Sequence, residues 1–261
     1  MKIYCLSIYN QHFDKFKSLN LIPVGLGVGD FDKRWLNDKS KDNISHKNIN
    51  YGEYTFHYNL WKNEIINEKK NWIGFCTYRR FWVKNKIDRS SDFKTLENNI
   101  LKEPRDDWDK TDVILGEPLV HYKLKNMKLI KRNFLEVLKK PSVLYRRNSI
   151  KDHFNIFHGS FFLKEAINLL THQNKEGFEM YLNDYLLHPF NMFICKNSEI
   201  LNEFYNEIFP WLFKCEEIFK NYELKGYDKI RIYGFLAERY MPYWFIKNFK
   251  TKTNPITFLE N

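Results

Sequence analysis

The chain has 261 residues, of which 43% are apolar and 18% aromatic, and this aromatic load excludes an intrinsically disordered protein. The length suits one large domain or two small ones. With 42 basic and 32 acidic residues the formal net charge is +10, which indicates an anionic partner such as nucleic acid, a membrane surface or a phosphorylated small molecule.

Four cysteines lie far apart and form no C-x-x-C pair, so we expect neither a structural zinc site nor a dithiol redox motif. Cys5, Cys76 and Cys195 lie in apolar runs and are predicted to be buried thiols of a reducing compartment. The N-terminus lacks the apolar core of a signal peptide, and no window approaches the ~20 apolar residues of a membrane span. We therefore expect a cytoplasmic protein, whose charge could hold it peripherally at the inner face of an anionic membrane.

Strand and helix patterns alternate over the first 120 residues. Alternation predicts a strand over Met1–Ile8, and rings spaced by three or four residues predict a helix from Tyr51 to Asn67. The apolar run Trp72–Thr77 predicts a strand that leads straight into two arginines. The remaining segments are a short helix over His12–Leu19, an apolar run over Leu21–Val28, a polar loop over Asp30–Lys47, a helix over Phe93–Leu101 and a short strand over Asp112–Pro118.

The second half continues this alternation without an internal repeat or a linker. Strands that alternate with helices predict an α/β fold with a mainly parallel central sheet flanked by helices, in a single domain over residues 1–261. Such sheets bind ligands at the carboxyl ends of their strands. The predicted elements are a helix over Met127–Lys140, a strand and helix over Phe157–Leu170, a helix over Gly177–Leu187, a strand over His188–Asn197, and helices over Ser198–Lys220 and Tyr233–Phe245.

Tyr78-Arg79-Arg80 stands at the carboxyl end of an apolar strand. Arginine stays charged and forms forked hydrogen bonds to phosphate oxygens, so two adjacent arginines could neutralise a diphosphate without a metal ion. The alternative is a solvated strand end, where arginine is common. Composition alone favours this alternative, because charged clusters are often merely structural.

A polar segment, Asp42–Asn48, precedes the helix that begins near Tyr51. Helix starts present free N–H groups that favour anions, and Ser, Asn and Lys side chains would extend such a site toward a nucleotide or a sugar. The same residue types are the usual choice for a turn and an N-cap, for which Asn50 is a candidate, so this alternative stays open. Rings at helical spacing usually pack in the core, and the rings concerned are Tyr51, Tyr54, Tyr58 and Trp61.

Further candidates carry weaker signals. Asp30-Phe31-Asp32 has the paired carboxylates that suit Mg²⁺ or Mn²⁺, but D-x-D occurs by chance in many loops. His188-x-x-Asn191 contains a lone histidine, which is usually structural. Glu238-Arg239 would ordinarily be a surface pair, yet Glu238 lies in a mostly apolar segment, where a carboxylate is either paired or functional. The phosphate-loop, dinucleotide, zinc-protease and serine-hydrolase motifs do not occur.

Three blocks of the sequence together resemble a family of bacterial capsular and exopolysaccharide glycosyltransferases, long described only as a domain of unknown function. The block DNISHKNINYGEYTFHYNLWKN is similar to the family's D-N-I-S-x-K-N…Y-x-E-x-T…Y-x-x-W-K-N, and IGFCTYRRFW is similar to I-G-L-C-H-Y-R-R-Y-F. HPFNMFICK and RIYGFLAERY resemble H-x-x-N-M-F-I and R-x-x-G-F-L-A-E-R. The blocks keep the family's order and span nearly the whole chain.

The resemblance implies a GT-A-like single domain with a Rossmann-like central sheet. It implies that about residues 1–120 bind a nucleotide sugar and about residues 121–261 bind the acceptor. The implied reaction moves a hexose such as galactose from a UDP-sugar to a saccharide or lipid-linked saccharide in surface polysaccharide synthesis. The matched positions are Asp42, Asn43, Ser45, Lys47, Asn48, Tyr51, Glu53, Thr55, Trp61, Tyr78, Arg79, Arg80, His188, Asn191, Arg231, Glu238 and Arg239.

The resemblance also suggests roles. Arg79 and Arg80, assisted by Lys47, would bind the donor diphosphate in place of a metal, because a metal-binding D-x-D in that fold follows a later strand than the one before Asp30. We therefore expect no metal or other cofactor, with Mn²⁺ or Mg²⁺ less favoured. This chain carries Thr77 where the family usually has His, so a donor or metal contact made by that His would be lost.

The other matched residues would surround the two substrates, and an inverting reaction would also need a catalytic base, although the sequence does not decide between inversion and retention. Asn43, Ser45, Asn48 and Tyr78 would contact the nucleotide sugar. Tyr51, Glu53, His188, Asn191 and Arg231 would line the sugar or acceptor pocket. Glu238 would be the base, with Asp184 in reserve.

Two other functions fit the composition. A charge of +10 with many aromatic residues suits a non-catalytic nucleic-acid binder, but the basic residues are dispersed and no RNA- or DNA-binding motif occurs, so we expect no nucleic-acid partner. A catalytically inactive family member acting as a scaffold is left open by Thr77. The basic and aromatic segments Lys123–Lys140 and Tyr243–Lys252 could contact an anionic membrane, with a solvated basic face as the alternative.

Overall fold

A central β-sheet organises the computed structural model of the chain, which describes residues 1–67, 69–120, 134, 138, 141 and 147–259. Nine strands form this sheet in the described part, two more form a separate ribbon, and helices flank the sheet. The predicted α/β fold is confirmed. The strands are β1 (Lys2–Ser7), β2 (Ile22–Gly25), β3 (Leu36–Asn37), β4 (Ile73–Thr77), β5 (Arg80–Trp82), β6 (Val113–Gly116), β7 (Leu119–Val120), β8 (Leu186–Leu187), β9 (Phe193–Cys195), β10 (Thr251–Asn254) and β11 (Ile256–Phe258).

The helices of the described residues lie mostly in the second half of the chain. They are α1 (Phe13–Ser18), α2 (Asn48–Tyr51), α3 (Tyr54–Asn63), α4 (Phe93–Asn99), α5 (Ile150–His158), α6 (Ser160–Asn168), α7 (His172–Leu182), α8 (Ser198–Phe219), α9 (Tyr227–Ile230) and α10 (Ile232–Asn248). The short 3-10 turns are Asn10–His12, Ser45–Lys47 and Asp106–Trp108.

The strand order places β1 in the middle of a run of parallel strands. Along the path β10-β6-β9-β4-β1-β2-β3, every strand except β9 runs in the same direction. Strand β5 pairs antiparallel with β4, and β11 pairs antiparallel with β5. The chain places β2 on one side of β1 and β4 on the other, and such a reversal of strand order opens a crevice at the carboxyl ends of β1 and β4.

Each face of the sheet carries its own apolar core. Tyr4 and Leu6 of β1 belong to a cluster that includes buried rings of α3, α8 and α10. Ile3 and Cys5 belong to the opposite cluster, with Phe16 of α1. Because both faces are covered, the central strands are apolar on both sides. All four cysteines are free and buried, which confirms the prediction for the three in apolar runs.

The helix predicted from Tyr51 to Asn67 is interrupted near its start. Helix α2 ends at Tyr51 and α3 begins at Tyr54, because Gly52 adopts φ +59° and ψ −130°, a conformation that side-chain-bearing residues rarely reach. The aromatic stripe is core, as predicted. Tyr51 and Tyr54 are fully buried, and Trp61 stacks on Phe209 with ring centroids 5.2 Å apart.

Two predicted elements in the second half were wrong. The segment after Phe157 is not a strand, because α5 and α6 follow each other across Gly159, which has φ +97°. A capping box starts α5: Ser149 Oγ accepts the Asp152 N–H at 3.1 Å, and the Asp152 carboxylate accepts the Ser149 N–H. This local signal outweighs the β-propensity of the aromatic run. The helix predicted over Gly177–Leu187 ends at Leu182, and its last two residues form β8.

Polar side chains of the Asp42–Asn63 stretch fasten the loop before α2 onto α3. The Asn59 amide donates to the carbonyls of Ser40 at 2.6 Å and Asp42 at 3.1 Å. Asn63 donates to the Asp42 carbonyl at 2.8 Å, and Tyr58 Oη donates to the Asp42 carboxylate at 3.1 Å. These side chains therefore supply hydrogen bonds to the backbone and the Asp42 carboxylate of a long loop.

A buried carboxylate joins the loop after β2 to α3. Asp38 is fully buried, and both of its oxygens accept the Gly27 N–H at 3.0 Å while Thr55 Oγ1 donates to it at 2.5 Å. Burial raises the pKa of Asp38, and the hydrogen bonds from Thr55 and Gly27 oppose the rise. This carboxylate fixes the position of both segments beside the crevice.

The segments predicted to contact a membrane lie in two places. The predicted helix Met127–Lys140 and the basic segment Lys123–Lys140 lie outside the described residues, apart from Phe134 and Leu138. In Tyr243–Lys252 the rings of Tyr243, Trp244 and Phe245 are buried in the core and do not face outward. The chain from Lys250 onward instead forms β10 and β11, which the sequence analysis missed. Among the described helices none is long and apolar enough to cross a membrane.

Replacing Thr55 by valine should destabilise the fold by about 1–3 kcal/mol at pH 7. Valine has nearly the shape of threonine but cannot donate a hydrogen bond to the buried Asp38 carboxylate. The raised pKa means that the folded state favours protonated Asp38, so stability falls as the pH rises through the folded-state pKa. The loss in Thr55→Val should therefore be smaller at pH 4 than at pH 7. Urea unfolding at both pH values measures this.

Thr253→Val is the matched control for that substitution, because Thr253 is exposed on β10. Its effect should stay within about 0.5 kcal/mol at either pH. Equal losses for the two variants, or a loss in Thr55→Val that does not change with pH, would contradict the role assigned to Asp38.

Candidate functional site

A pocket of about 300 Å³ opens at the crevice beside the carboxyl ends of β1 and β4. Its walls come from the segments that follow β1, β2 and β4, from the α2–α3 junction and from the α9–α10 region. Parallel sheets place their ligands at this point of the strand order. The lining residues are Leu6, Ile8, Tyr9, Leu26, Asn48, Gly52, Glu53, Thr77, Tyr78, Arg79, Arg80, Tyr227 and Arg231.

Arg79 and Arg80 bring two charges into this pocket without a counterion. The Nε of each is buried and has no hydrogen-bond partner, and neither guanidinium forms an ion pair with another described residue. Burial lowers the pKa of Arg80, with the Glu238 and Glu53 carboxylates opposing the shift. Arginine remains protonated in proteins even where its pKa is lowered, so the Arg80 guanidinium stays charged at neutral pH. Buried donors without partners indicate a site for an anionic ligand.

Aromatic rings hold both guanidiniums in place. The Arg79 guanidinium lies 4.8 Å from the centroid of the Tyr78 ring, and the Arg80 guanidinium lies 4.1 Å from that of Phe190 and 5.6 Å from that of Phe258. Cation–π contacts of this kind are worth about 0.5–2 kcal/mol each, depending on how well they exclude water. The rings therefore supply the attraction that a carboxylate would otherwise provide, and they leave the N–H groups free.

Glu53 and Arg231 form an ion pair on another wall of the pocket. Arg231 Nη2 lies 3.2 Å from Glu53 Oε2, and both side chains are about one-fifth exposed. A Cβ on Gly52 would lie only 2.2 Å from Arg231 Nη2, so the glycine makes room for the guanidinium. Glu53 is the one carboxylate among the lining residues, against three arginines. The pocket is therefore electropositive.

The sequence analysis missed parts of the pocket. Thr77 lines the pocket, and its Oγ1 is buried without a hydrogen-bond partner. Tyr9 and Tyr227 line it with rings that are 43% and 59% exposed. Tyr9 follows β1 directly, and the rule that ligands gather at strand carboxyl ends could have identified it. Tyr227 carries no comparable signal.

Six of the predicted binding residues are not among those that line the pocket, namely Asn43, Ser45, Lys47, Tyr51, His188 and Asn191. Asn43 bonds within its own loop, to the carbonyls of Lys39 and Lys41 at 3.0 and 2.9 Å and to Ser45. Lys47 pairs with Glu216 at 2.8 Å, and Tyr51 Oη donates to the same carboxylate at 2.9 Å. Their predicted contacts with a nucleotide sugar stay predictions, and the contacts observed here are structural.

Asn48 does line the pocket. Its amide donates to the Gly52 carbonyl at 2.8 Å and to Thr55 Oγ1 at 3.1 Å, so the buried Asp38 cluster orients it. A Cβ on Gly27, which has φ +68°, would come within 2.9 Å of the Asn48 side chain. Tyr78, Arg79, Arg80, Glu53 and Arg231 are the other predicted residues that the structure brings together here.

Glu238 supports the loop that carries Phe190. Its Oε1 accepts the Phe190 N–H at 2.7 Å, and its Oε2 pairs with buried Arg239. Phe190 and Asn191 have φ of +78° and +52°, a left-handed conformation that bulky residues rarely adopt. Glu238 therefore holds a strained loop whose ring contacts Arg80. It lines neither this pocket nor a larger neighbouring one, and its predicted role as base stays a prediction.

The other predicted residues of the second half lie around the same loop. His188 Nδ1 donates to the Gly116 carbonyl at 2.7 Å, and burial lowers the pKa of the imidazole. Asn191 donates to the Gly234 carbonyl at 3.3 Å. Asp184, the reserve base, is exposed at the end of α7 and is not among the residues that line a pocket near the arginines.

The D-x-D segment lies in the exposed loop after β2. The Asp32 carboxylate accepts hydrogen bonds from Arg34, the shortest at 2.7 Å, and this pairing lowers the pKa of Asp32. Neither Asp30 nor Asp32 lines the arginine pocket. Over the described residues no three His, Cys, Asp or Glu side chains converge in a way that could hold a metal ion.

Comparison with known proteins gives the fold and the family. The structure resembles that of the apo form of WbbM, a bifunctional glycosyltransferase, with a TM-score of 0.67 and 20% sequence identity over 100% of this chain and 45% of that one. The chain thus spans less than half the length of that protein, and the likeness shows the shared fold. A search of curated proteins finds no match. A family model described as a domain of unknown function (DUF4422) matches residues 2–249, and the chain therefore belongs to that family.

Proposed function

We propose that the protein is a glycosyltransferase that moves a hexose from a UDP-sugar to a saccharide acceptor. The observation that carries this proposal is the pair of adjacent arginines, which form no ion pair with another described residue and line a pocket at the reversal of strand order. The structural neighbour, a bifunctional glycosyltransferase, supports the same class of reaction. Surface polysaccharide synthesis, with galactose as the hexose, is the setting that the family resemblance suggests.

Glycosyl transfer requires positive charge beside the leaving diphosphate. When the acceptor oxygen bonds to the anomeric carbon, the bond from that carbon to the β-phosphate oxygen breaks and its electron pair leaves with the diphosphate. Arg79 and Arg80 offer forked N–H groups to that diphosphate, and their fixed position means that little reorganisation is needed. In this proposal they supply the charge that a divalent cation supplies in metal-dependent enzymes.

The rim of the pocket suits the rest of the nucleotide. The exposed rings of Tyr9 and Tyr227 offer faces on which a planar base can stack. The partly exposed Asn48 side chain can form hydrogen bonds with hydroxyl groups of the nucleotide. The pocket volume of about 300 Å³ is at the lower end for ligand sites, so a nucleotide sugar would extend beyond it toward neighbouring space.

We assign the general base to Glu53 in preference to Glu238. Glu53 lines the arginine pocket, and its pairing with Arg231 orients the carboxylate. Glu238 accepts a backbone N–H and is only 15% exposed, so an acceptor hydroxyl has poor access to it. Glu53 would take the proton of the acceptor hydroxyl as the new bond forms.

A nucleic-acid binder is the weaker alternative. Such proteins use exposed rings along an open basic groove. Here the two unpartnered arginines are half-buried in the wall of a pocket of about 300 Å³, which suits a small anionic ligand better than a polymer.

UDP and UDP-galactose should bind the protein in isothermal titration calorimetry, and Arg79→Ala or Arg80→Ala should weaken UDP binding by roughly tenfold or more, since a charged hydrogen bond contributes about 1.5–3 kcal/mol. EDTA should not change the affinity of the native protein. Arg34→Ala is the control, because that exposed arginine pairs with Asp32 outside the pocket. Tighter binding of a single-stranded oligonucleotide than of any nucleotide sugar would contradict the proposal.

Glu53→Gln should lower kcat by about 10²–10⁴-fold while UDP affinity stays within about threefold, because a missing base slows proton removal and leaves the diphosphate contacts in place. Glu238→Gln should instead lower thermal stability, since Arg239 loses its buried partner. Transfer rates and melting curves of both variants distinguish the two carboxylates. Normal turnover in Glu53→Gln together with lost turnover in a folded Glu238→Gln would reverse the assignment.

A further inference from the structure

A second pocket of about 720 Å³ lies next to the first, and Arg80 lines both. Its size falls well inside the range of about 300–1,000 Å³ that ligand sites occupy. Its walls come from the segment after β5, the β6–β7 turn, the loop before β9 and the C-terminal strand β11. The lining residues are Arg80, Lys86, Ile87, Asp88, Arg89, Glu117, Pro118, Leu119, Pro189, Phe190, Ile256, Thr257 and Phe258.

The wall between the two pockets is held from several directions. Arg80 lies opposite Phe258 in the antiparallel β5–β11 pair, and its guanidinium contacts the rings of Phe190 and Phe258. Glu238 fixes the left-handed backbone of Phe190 through the 2.7 Å hydrogen bond to its N–H. His188 joins the loop before β9 to the end of β6 through the Gly116 carbonyl. These contacts hold the strained backbone of the loop and so keep the Phe190 ring against Arg80.

The lining chemistry of the second pocket suits a sugar chain. Side chains of both charges surround it: Lys86 pairs with Glu117 at 2.8 Å, while Asp88 and Arg89 are exposed nearby. Sugar hydroxyls donate and accept, so they need partners of both kinds, and the C–H faces of the rings need apolar surface. Proline, leucine, isoleucine and phenylalanine side chains supply that surface here.

We propose that this second pocket binds the saccharide acceptor and that Arg80 contacts both substrates. The proposal rests on the proposed transferase function and extends it. The acceptor hydroxyl enters from the second pocket and bonds to the anomeric carbon of the donor. The bond from that carbon to the diphosphate oxygen breaks toward Arg79 and Arg80, and the hydroxyl proton passes to the Glu53 carboxylate.

In this arrangement Arg80 would also position the acceptor relative to the donor. A guanidinium in contact with two rings has little freedom to move, so the reacting end of the acceptor meets the donor at one defined point. The acceptor site also draws on segments from both halves of the chain, because residues 80–89 and 256–258 lie far apart in sequence. Specificity for the acceptor would thus depend on the C-terminal strand as much as on the middle of the chain.

Saturation-transfer NMR with octyl glycosides of galactose, glucose, mannose and N-acetylglucosamine tests the proposal on the full chain. We expect at least one glycoside to bind the native protein and to remain bound in saturating UDP. Leu119→Trp, which fills the second pocket from a 40% exposed position, should weaken that glycoside at least fivefold and leave UDP affinity unchanged. Ile246→Trp, at a 45% exposed position outside both pockets, is the matched control.

Three results would overturn the proposal: no glycoside binds the native protein, UDP displaces the bound glycoside, or Leu119→Trp weakens UDP as much as the glycoside. The last two would make the second pocket part of the donor site. Arg89→Ala provides a second variant if Leu119→Trp does not fold, with the same expected pattern. Failure of the transferase function itself would look different, because UDP would not bind while the glycosides still did.

Discussion

Two adjacent guanidiniums without counterions set the constraint that the rest of the site satisfies. Arg79 and Arg80 lie just beyond β4, with Arg80 at the start of β5. A charged group that is half removed from water is costly unless something else stabilises it. In this chain three aromatic rings and the more distant carboxylates of Glu53 and Glu238 supply that stabilisation. None of them occupies the N–H groups of the two arginines, so an anionic ligand can.

The surrounding framework keeps those rings and carboxylates in position. Glu238 holds the strained backbone at Phe190, and Gly52 leaves the space that Arg231 needs to reach Glu53. Buried Asp38 links the loop after β2 to α3 and, through Thr55, orients Asn48. Residues far from one another in the chain thus serve one pocket.

The sequence predicts the fold well where a pattern is long and periodic. Strand β1, strand β4 and helix α8 lie where alternation or helical spacing placed them, within one or two residues. The break at Gly52 was missed because the aromatic stripe continues across it, and β10 and β11 were missed because Thr251–Asn254 is polar. The aromatic run after Phe157 reads as β until the capping box at Ser149 is taken into account.

The site was predictable in part. Tyr78, Arg79 and Arg80 follow from a strand that ends in arginines at the edge where ligands bind. The partners of Lys47 and Tyr51 could not be foreseen, because Glu216 lies more than 160 residues away in the chain. For the same reason the hydrogen bond from the Phe190 N–H to Glu238 could not be foreseen, whereas the Glu238–Arg239 pair joins neighbours in the sequence. Periodicity and motif spacing do not predict side-chain contacts between residues that are far apart in the sequence.

The role proposed for Arg79 and Arg80 is tested most directly by where a nucleoside diphosphate binds. A crystal structure of the protein with UDP would show this without knowledge of the sugar or the acceptor. We expect guanidinium nitrogens of both Arg79 and Arg80 to lie within about 3 Å of the diphosphate oxygens. A diphosphate bound elsewhere, with neither arginine in contact, would contradict that role.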